Sequence, residues 1–203
     1  MKSAEDSLVG VVREFDRAFE ILEKYPKTVS IFGSARLTEE NPSYIDARNV
    51  AGILADQGFA VVTGGGGGIM EAANRGAFEA GGGSIGLNII LPNEQKLNEY
   101  TTDNFAFEHF FARKVALTLE ASAYVFFAGG YGTLDELFEI TTLIQTGDID
   151  RRPIILFGSE FWGPLLDFIK NTLVDKFQTI SNEDNDLFIV IDEYEQIISL
   201  LLK

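Results

Sequence analysis

The sequence predicts an α/β fold in which one doubly wound, mostly parallel sheet carries helices on both faces. Short apolar runs alternate with stretches of helical length along the chain, which is the pattern of right-handed βαβ units. These runs are almost continuously apolar and rich in Val, Ile and Phe, as in strands buried on both faces. No internal repeat or break in composition marks a second domain. We therefore expect a single Rossmann-like domain over residues 1–203, with residues 1–27 as an N-terminal helical extension.

The individual elements can be placed in order from periodicity and from helix-start signals. Strands are expected at residues 28–32, 59–63, 83–88, 123–128, 153–157 and 187–191. Helices are expected at residues 4–24, 41–57, 69–80, 110–121, 132–145, 161–176 and 192–201. Asn41 is a typical N-cap and is followed by a proline, and Pro164 lies early in its helix, where proline is tolerated. The one long connection, residues 89–107, is expected to be functional or mobile.

Composition limits the classes of function. The formal net charge of −15 argues against sequence-independent nucleic-acid binding, which needs a basic surface, although an anionic small ligand stays compatible with it. The absence of cysteine excludes disulfides and thiolate metal sites, and one histidine, His109, cannot form a multi-histidine metal site. No apolar run approaches the roughly 18–20 residues of a membrane span, and no signal peptide is recognisable. We expect a cytoplasmic protein without a membrane or nucleic-acid partner.

The most informative segment is a glycine turn between a strand and a helix. It spans residues 126–136 and reads FFAGGYGTLDE. Glycines at such a turn let backbone N–H groups approach an anion, and the helix N-terminus adds about half a positive charge. A phosphate could therefore sit at this turn, with the carboxylate of Glu136 one helical turn away.

A second glycine-rich turn follows an earlier strand. Residues 64–68 are five consecutive glycines, which cost on the order of 0.5–1 kcal/mol each in backbone entropy. A turn alone needs fewer glycines, so close approach of the backbone to a ligand is the better explanation. In a doubly wound sheet both turns would lie at the carboxyl edge of the strands, where ligands bind. Two phosphate-type turns on one edge indicate a nucleotide-binding domain.

A third loop follows the first strand and reads Gly33-Ser34-Ala35-Arg36. It would bring further amides and a hydroxyl to the same edge, or it is an ordinary strand–helix loop. A dinucleotide fingerprint is not supported, because the one GxGxxG match, residues 81–86, runs from a helix into a strand. No phosphate-binding GxxxxGK[ST] motif occurs.

Two pairs of candidate residues have structural alternatives. Thr133 and Glu136 have the spacing of a capping box, but a capping box needs no glycine run, which favours a ligand. Arg113 and Lys114 fall near the start of a helix, where the helix dipole disfavours cations, so an anionic partner is expected. That partner is either a ligand or one of the many carboxylates of this acidic chain. Glu71 suits the dipole of its own helix as well as a ligand site.

Four segments, in chain order, resemble the Lonely Guy (LOG) family, long mislabelled as lysine decarboxylase-like. They read GGGGGIMEAANRGA, GLNIILPNEQ, FFARKVAL and FAGGYGTLDELFE. The resemblance covers roughly residues 29–162, and the longer FFARK and ELFEITTLIQTG context is most similar to the larger bacterial branch of the family. Ala128 and Gly67 stand where prolines are usual, which makes both turns more flexible but removes no donor or acid.

The resemblance implies a phosphoribohydrolase that cleaves the N-glycosidic bond of nucleoside 5′-monophosphates, such as AMP or cytokinin ribotides, to the free base and ribose 5-phosphate. It implies Arg113 and Glu136 as catalytic residues, no metal or other cofactor, and a homodimer or higher homo-oligomer. Together with the loop after the first strand, the residues expected to bind substrate are Gly33, Ser34, Gly64, Gly65, Gly66, Gly67, Gly68, Met70, Glu71, Lys114, Gly129, Gly130, Tyr131, Gly132 and Thr133.

Two other functions compete with this one. Molybdenum-cofactor carriers resemble the same fold and glycine turn and hold a phosphate-bearing pterin without chemistry. The presence of both Arg113 and Glu136 favours the enzyme. Lysine decarboxylation would need a lysine that forms a Schiff base with pyridoxal phosphate. Lys114 is the nearest candidate, and its sequence setting is poor.

Overall fold

Seven parallel strands form one sheet within residues 4–90 and 96–201, the part of the chain that the computed structural model describes. The strands are β1 Thr28–Phe32, β2 Ala60–Thr63, β3 Ser84–Ile89, β4 Asp103–Phe107, β5 Ala121–Phe126, β6 Ile154–Phe157 and β7 Phe188–Ile191. Their spatial order is β4-β3-β2-β1-β5-β6-β7. The chain adds strands on one side of β1 and then continues on the other, so the direction of winding reverses between β1 and β5. Ligands of such sheets bind at this switch point.

Helices cover both faces of the sheet, as predicted. They are α1 Ala4–Leu22, α2 Pro42–Asp56, α3 Ile69–Glu79, α4 Phe110–Leu119, α5 Tyr131–Thr146, α6 Ser159–Phe168, α7 Asn182–Asn185 and α8 Gln196–Leu201, and a π-helix, Ile169–Lys176, continues α6. The predicted N-cap of α2 is confirmed, since the Asn41 side chain accepts a hydrogen bond from the Ser43 N–H. No helix in the described ranges is long and apolar enough to cross a membrane.

Each face of the sheet has its own hydrophobic core. Phe32, the last residue of β1, belongs to one core, and its neighbour Ile31 belongs to the other. The Phe32 ring stacks on that of Phe126 in β5 with centroids 4.7 Å apart, and on the opposite face Phe127 stacks on Phe157 at 4.8 Å. These aromatic pairs hold the ends of β1, β5 and β6 together where the chain leaves the sheet for the turns.

The connection over residues 89–107 contains a strand that its sequence did not predict. Residues 103–107 form β4, which pairs in parallel with β3 at the sheet edge. Only Phe107 is fully buried in this strand, and Asp103 and Asn104 interrupt the apolar run, so the segment lacks the continuous pattern of an inner strand. Residues 91–95 of this connection lie outside the described residues.

One helix also begins earlier than predicted. The expected start of α6 was residue 161, but the helix begins at Ser159, so Pro164 is its sixth residue and lies inside it. The helix places Trp162 beside the carboxyl end of the inner strand β5, where its indole N–H donates to the Phe126 carbonyl at 3.2 Å. This bond fixes the beginning of α6 beside β5 and leaves Phe161 at the cleft described next.

Candidate functional site

A cleft of about 770 Å³ opens beside the switch point between β1 and β5. Its walls come mainly from the loop after β1, the turn into α5 and the first half of α4. The predicted site residues that line it are Gly33, Ser34, Gly64, Met70, Arg113, Gly129, Gly130, Tyr131, Gly132, Thr133 and Glu136. The predicted site residues outside the lining are Gly65, Gly66, Gly67, Gly68, Glu71 and Lys114.

Backbone hydrogen bonds join three loops at this cleft. The Ser34 N–H donates to the Ala128 carbonyl at 3.0 Å, and the Ser34 carbonyl accepts from the Ile69 N–H at 3.0 Å. Ser34 therefore connects the turn into α5 with the first residue of α3. Both glycine turns lie at the same edge of the sheet, and the loop after β1 lies between them.

The N-terminus of α5 has no side-chain cap. The helix begins at Tyr131 with Gly130 as the N-cap, and the Leu134 N–H makes a bond to the Gly130 carbonyl. A capping box between Thr133 and Glu136 is therefore wrong, because these are the third and sixth residues of the helix. The N–H groups of a first helical turn have no partner within the helix. Here they border the cleft and can bind an anion.

The turn into α5 is tightly packed on one side and open on the other. Thr133 is only 5% exposed, and a Cβ added at Gly129 would lie 2.2 Å from its hydroxyl oxygen. Glycine is therefore required at position 129 by close approach. A Cβ at Gly130 or Gly132 would have no atom of the described residues within 4 Å apart from its chain neighbours and its own helix backbone. The turn thus packs against Thr133 at Gly129 and leaves free space next to Gly130 and Gly132.

An ion pair between Arg113 of α4 and Glu136 of α5 lies in the wall of the cleft. Nη2 of Arg113 is 3.2 Å from Oε1 of Glu136, and the two side chains are 8% and 12% exposed. The Arg113 guanidinium also lies 5.4 Å from the centroid of the Phe110 ring. Its Nε is buried and has no hydrogen-bond partner among the described residues. A buried unpaired donor costs free energy, so this nitrogen marks a position where a ligand acceptor would be stabilising.

Burial changes the acid–base properties of both members of this pair. It raises the pKa of Glu136 to about 7, against the opposing charge of Arg113. It also lowers the pKa of Arg113 from its ordinary value, although Glu136 acts in the other direction. The Glu136 carboxyl group therefore exchanges its proton near neutral pH, as a group that acts in acid–base or charge-stabilising chemistry should.

Lys114 forms ion pairs with carboxylates of α5 and lies outside the cleft lining. Its Nζ lies 3.0 Å from Oδ2 of Asp135 and 2.9 Å from Oε2 of Glu139. Burial opposes the charge, but the hydrogen bonds to these two residues outweigh it and raise the pKa of Lys114 above its ordinary value. A lysine held in its charged form is a poor nucleophile for a Schiff base. The anionic partners expected for Lys114 are therefore the carboxylates of Asp135 and Glu139 and not a ligand.

Most of the glycine run between β2 and α3 packs against the protein. The carbonyls of Gly65 and Gly66 accept hydrogen bonds from Asn98, through its N–H at 2.8 Å and its side chain at 3.0 Å respectively. Gly68 has a φ of 65°, and a Cβ there would lie 2.2 Å from the Ser34 carbonyl oxygen. Close packing thus accounts for Gly65, whose Cβ would lie 2.9 Å from the Leu97 side chain, and for Gly68 without a ligand.

The first residue of this run and the helix that follows it behave differently. Gly64 lines the cleft, and a Cβ there would lie 2.9 Å from Nη2 of Arg113, so the glycine leaves room for the guanidinium. Glu71, in the first turn of α3, accepts a hydrogen bond from the Tyr44 hydroxyl at 3.0 Å. Its contact is therefore with α2, which leaves Gly64 and Met70 as the part of this segment at the cleft.

Further residues line the cleft besides the predicted binding residues. They are Ala35, Arg36, Leu37, Ile89, Phe110, Ala128, Leu134 and Phe161, together with residues of β1 itself. The sequence placed the loop of Ala35 and Arg36 at this edge but assigned neither residue a role in binding. Phe110 is the first residue of α4 and Phe161 the third of α6, and only the tertiary arrangement brings them to one cleft.

Comparison with known proteins gives a consistent family assignment. A family model described as "Possible lysine decarboxylase" matches residues 70–201. Cytokinin riboside 5′-monophosphate phosphoribohydrolase LOG5 of Arabidopsis thaliana is 30% identical over 165 residues, which cover 78% of this chain and 70% of that protein. The phosphoribohydrolase LOG of Oryza sativa subsp. japonica is 32% identical over 140 residues, which cover 66% of this chain and 57% of the rice protein. The match thus spans little more than half the length of the rice relative.

Solved structures show the same fold in a protein described differently. The molybdenum cofactor binding protein from Rippkaea orientalis is similar with a TM-score of 0.65 and 21% sequence identity. The match covers 87% of this chain and 95% of that one. At this identity the similarity concerns the fold alone.

Proposed function

The chain belongs to the Lonely Guy (LOG) family, and on that premise we propose that it is a phosphoribohydrolase of nucleoside 5′-monophosphates. Water would cleave the bond between C1′ of the ribose and the base nitrogen. The water oxygen forms the new bond to C1′, the base leaves with a proton, and ribose 5-phosphate remains. AMP and cytokinin ribotides are the proposed substrates.

The proposed position of the 5′-phosphate is the N-terminus of α5. The uncapped amides of Tyr131, Gly132 and Thr133 supply hydrogen-bond donors there, and the helix dipole favours a negative charge. The open space above Gly130 and Gly132 lets a phosphate approach the backbone closely. This placement puts the ribose further into the cleft, toward Glu136.

The observation that carries the proposal is the buried Arg113–Glu136 pair beside that helix end. Departure of the base leaves positive charge on the ribose, which a carboxylate at short range stabilises. Glu136 is suited to this task in its ionised form, and it can orient the attacking water. Arg113 favours the ionised form of the carboxylate, and its unpaired Nε can donate to the substrate. No step of this scheme needs a metal or another cofactor.

The direct test is incubation of the purified protein with AMP, followed by assays for adenine and ribose 5-phosphate. We expect both products in equal amounts. The other common nucleoside monophosphates should be assayed in parallel, because the preferred base is open. Absence of turnover with all of them would contradict the proposal.

The two alternative functions predict different observations. A molybdenum-cofactor carrier would copurify with a pterin, detectable by its fluorescence, and would have no need of a buried carboxylate with a pKa near neutrality. A lysine decarboxylase would bind pyridoxal phosphate and show its absorbance near the visible edge. Lys114 is unsuited to that chemistry because Asp135 and Glu139 hold it in its charged form.

Assembly and location stay predictions. We expect a homodimer or a higher homo-oligomer in the cytoplasm, without a nucleic-acid partner. Light scattering coupled to size-exclusion chromatography measures the mass of the assembly. A monomer at micromolar concentration would contradict the first expectation.

A further inference from the structure

We propose that Arg36 binds the phosphate group of the substrate and thereby makes the cleft prefer nucleoside 5′-monophosphates to nucleosides. The proposal rests on the proposed function, because it concerns the same cleft. Arg36 lies on the loop after β1, lines the cleft and is exposed to solvent. Among the residues that the structure describes, none forms an ion pair with its guanidinium.

The charge balance of the cleft singles out Arg36. Among the described residues, the charged side chains in the lining are those of Arg36, Arg113 and Glu136. The last two neutralise each other, so Arg36 leaves the cleft with a net positive charge in a chain whose formal charge is −15. Exposed charges beyond a Debye length of about 8 Å are largely screened, so the acidity of the chain as a whole does not exclude an anion beside Arg36.

Two other arginines, on α2 and α3, are paired with acids. Arg48 and Arg75 both form ion pairs with Glu79, and Arg75 also pairs with Glu39. Arg36 has no such partner among the described residues, so its guanidinium is available to an external anion.

The backbone holds Arg36 close to the proposed phosphate position. The Arg36 N–H donates to the Ser34 hydroxyl oxygen at 3.1 Å, which closes the loop into a tight turn. Ser34 is in turn bonded to the Ala128 carbonyl at the beginning of the turn into α5. The loop that carries the arginine is thus tied to the segment whose uncapped amides face the cleft. A guanidinium can donate two parallel hydrogen bonds to phosphate oxygens.

The test compares Arg36→Met and Arg36→Lys with the wild-type protein, with Arg17→Met as the matched control. Arg17 is an exposed arginine on α1 outside the cleft lining. Calorimetric titration with AMP and with adenosine gives the dissociation constants, measured on the Glu136→Gln form of each protein so that AMP is not hydrolysed. Steady-state assays of the forms that keep Glu136 give kcat and KM for AMP. Thermal unfolding of each variant checks that the fold is unchanged.

We expect Arg36→Met to weaken AMP binding by about 10- to 100-fold, the range of a charge-assisted hydrogen bond, and to leave adenosine binding unchanged. KM for AMP should rise in parallel, with kcat changed by less than about threefold. Arg36→Lys should restore part of the loss, since it keeps the charge but not the forked geometry. Arg17→Met should behave as the wild type.

Three outcomes separate this proposal from the proposed function. Equal losses for AMP and adenosine, or no loss for either, would overturn the role of Arg36. A selective loss of AMP affinity in a protein that forms no ribose 5-phosphate would uphold Arg36 and contradict the hydrolase. A wild-type protein that binds no AMP at millimolar concentration would contradict both.

Discussion

The glycine turn into α5 borders open space, whereas the glycine run into α3 is largely filled by the protein itself. A Cβ at Gly130 or Gly132 meets nothing within 4 Å. A Cβ at Gly64 would lie 2.8 Å from the Met70 sulfur, and one at Gly68 would lie 2.2 Å from the Ser34 carbonyl oxygen. Both segments join a parallel strand to a helix at the same sheet edge, so their sequences alone look equivalent.

This difference separates two reasons for a glycine. At the α5 turn the missing side chain leaves room for something outside the chain. At the α3 run it lets backbone from neighbouring loops pack together, and the Asn98 side chain bonds to that run as well. Packing therefore requires glycine at positions 64, 65 and 68, and the proposed phosphate site belongs to the α5 turn.

The largest effect is expected at the carboxylate beside the α5 turn. Glu136→Gln should lower kcat for AMP by about 10³-fold, because the amide cannot supply negative charge to the ribose. The variant should stay folded, since Glu136 caps no helix. Product assays measure the rate, and calorimetry checks that AMP still binds. A variant with wild-type kcat would remove Glu136 from the mechanism.

On the packing side, Gly68→Ala should lower the free energy of unfolding by about 1–3 kcal/mol, because the new Cβ collides with the Ser34 carbonyl oxygen. Gly81→Ala is the matched control. Gly81 has a φ of 73°, similar to the 65° of Gly68, but no atom lies within 4 Å of its Cβ position. Urea titration should show a smaller loss for the control. Equal losses would mean that backbone conformation, not packing, requires the glycine.

On the open side, Gly132→Ala should raise the free energy of unfolding by roughly 0.5–1 kcal/mol, because alanine favours the helix. It should at the same time raise KM for AMP about tenfold, since its methyl group takes space near the proposed phosphate. Gly52→Ala in α2 should have a similar effect on stability without the effect on KM, because Gly52 lies outside the cleft lining and its Cβ would only reach the Gly76 carbonyl oxygen at 3.6 Å. An unchanged KM in Gly132→Ala would contradict the placement of the phosphate at the N-terminus of α5.

The pH profile tests the protonation state of Glu136. If the ionised carboxylate acts, kcat/KM for AMP should rise with pH up to a plateau above about 7, with a slope approaching tenfold per pH unit below it. The residual activity of Glu136→Gln should lack this dependence. A rate that falls between pH 6 and pH 8 would indicate that the protonated form acts instead.

The smallest effect is expected for Lys114→Met. Its ion pairs with Asp135 and Glu139 are partly exposed, so their loss should cost about 0.5–1 kcal/mol of stability. KM for AMP should stay within about twofold of the wild type, because Lys114 lies outside the cleft lining. Lys170→Met, which removes an exposed pair with Asp175, is the control for stability. A large rise in KM would show that Lys114 takes part in substrate binding.

Sequence patterns anticipated most of the fold because inner parallel strands are apolar throughout and stand out from their surroundings. The edge strand β4 was not predicted for the opposite reason, because polar residues such as Asp103 and Asn104 are tolerated in a strand with one side exposed. The start of α5 was predicted within one residue, but the competing capping box could be rejected only from coordinates. The spacing of Thr133 and Glu136 is the same whichever residue begins the helix.

Local periodicity and motif spacing are properties of the linear chain, so they were enough to predict the inner strands, most of the helices, the glycine turns at strand ends and the family. The packing of the folded chain was needed to show that Arg113 meets Glu136, that Lys114 pairs with α5, and that one glycine turn is open while the other is filled. Those facts depend on distances between segments far apart in the chain. Burial, which places the pKa of Glu136 near 7, exists only once those segments have packed.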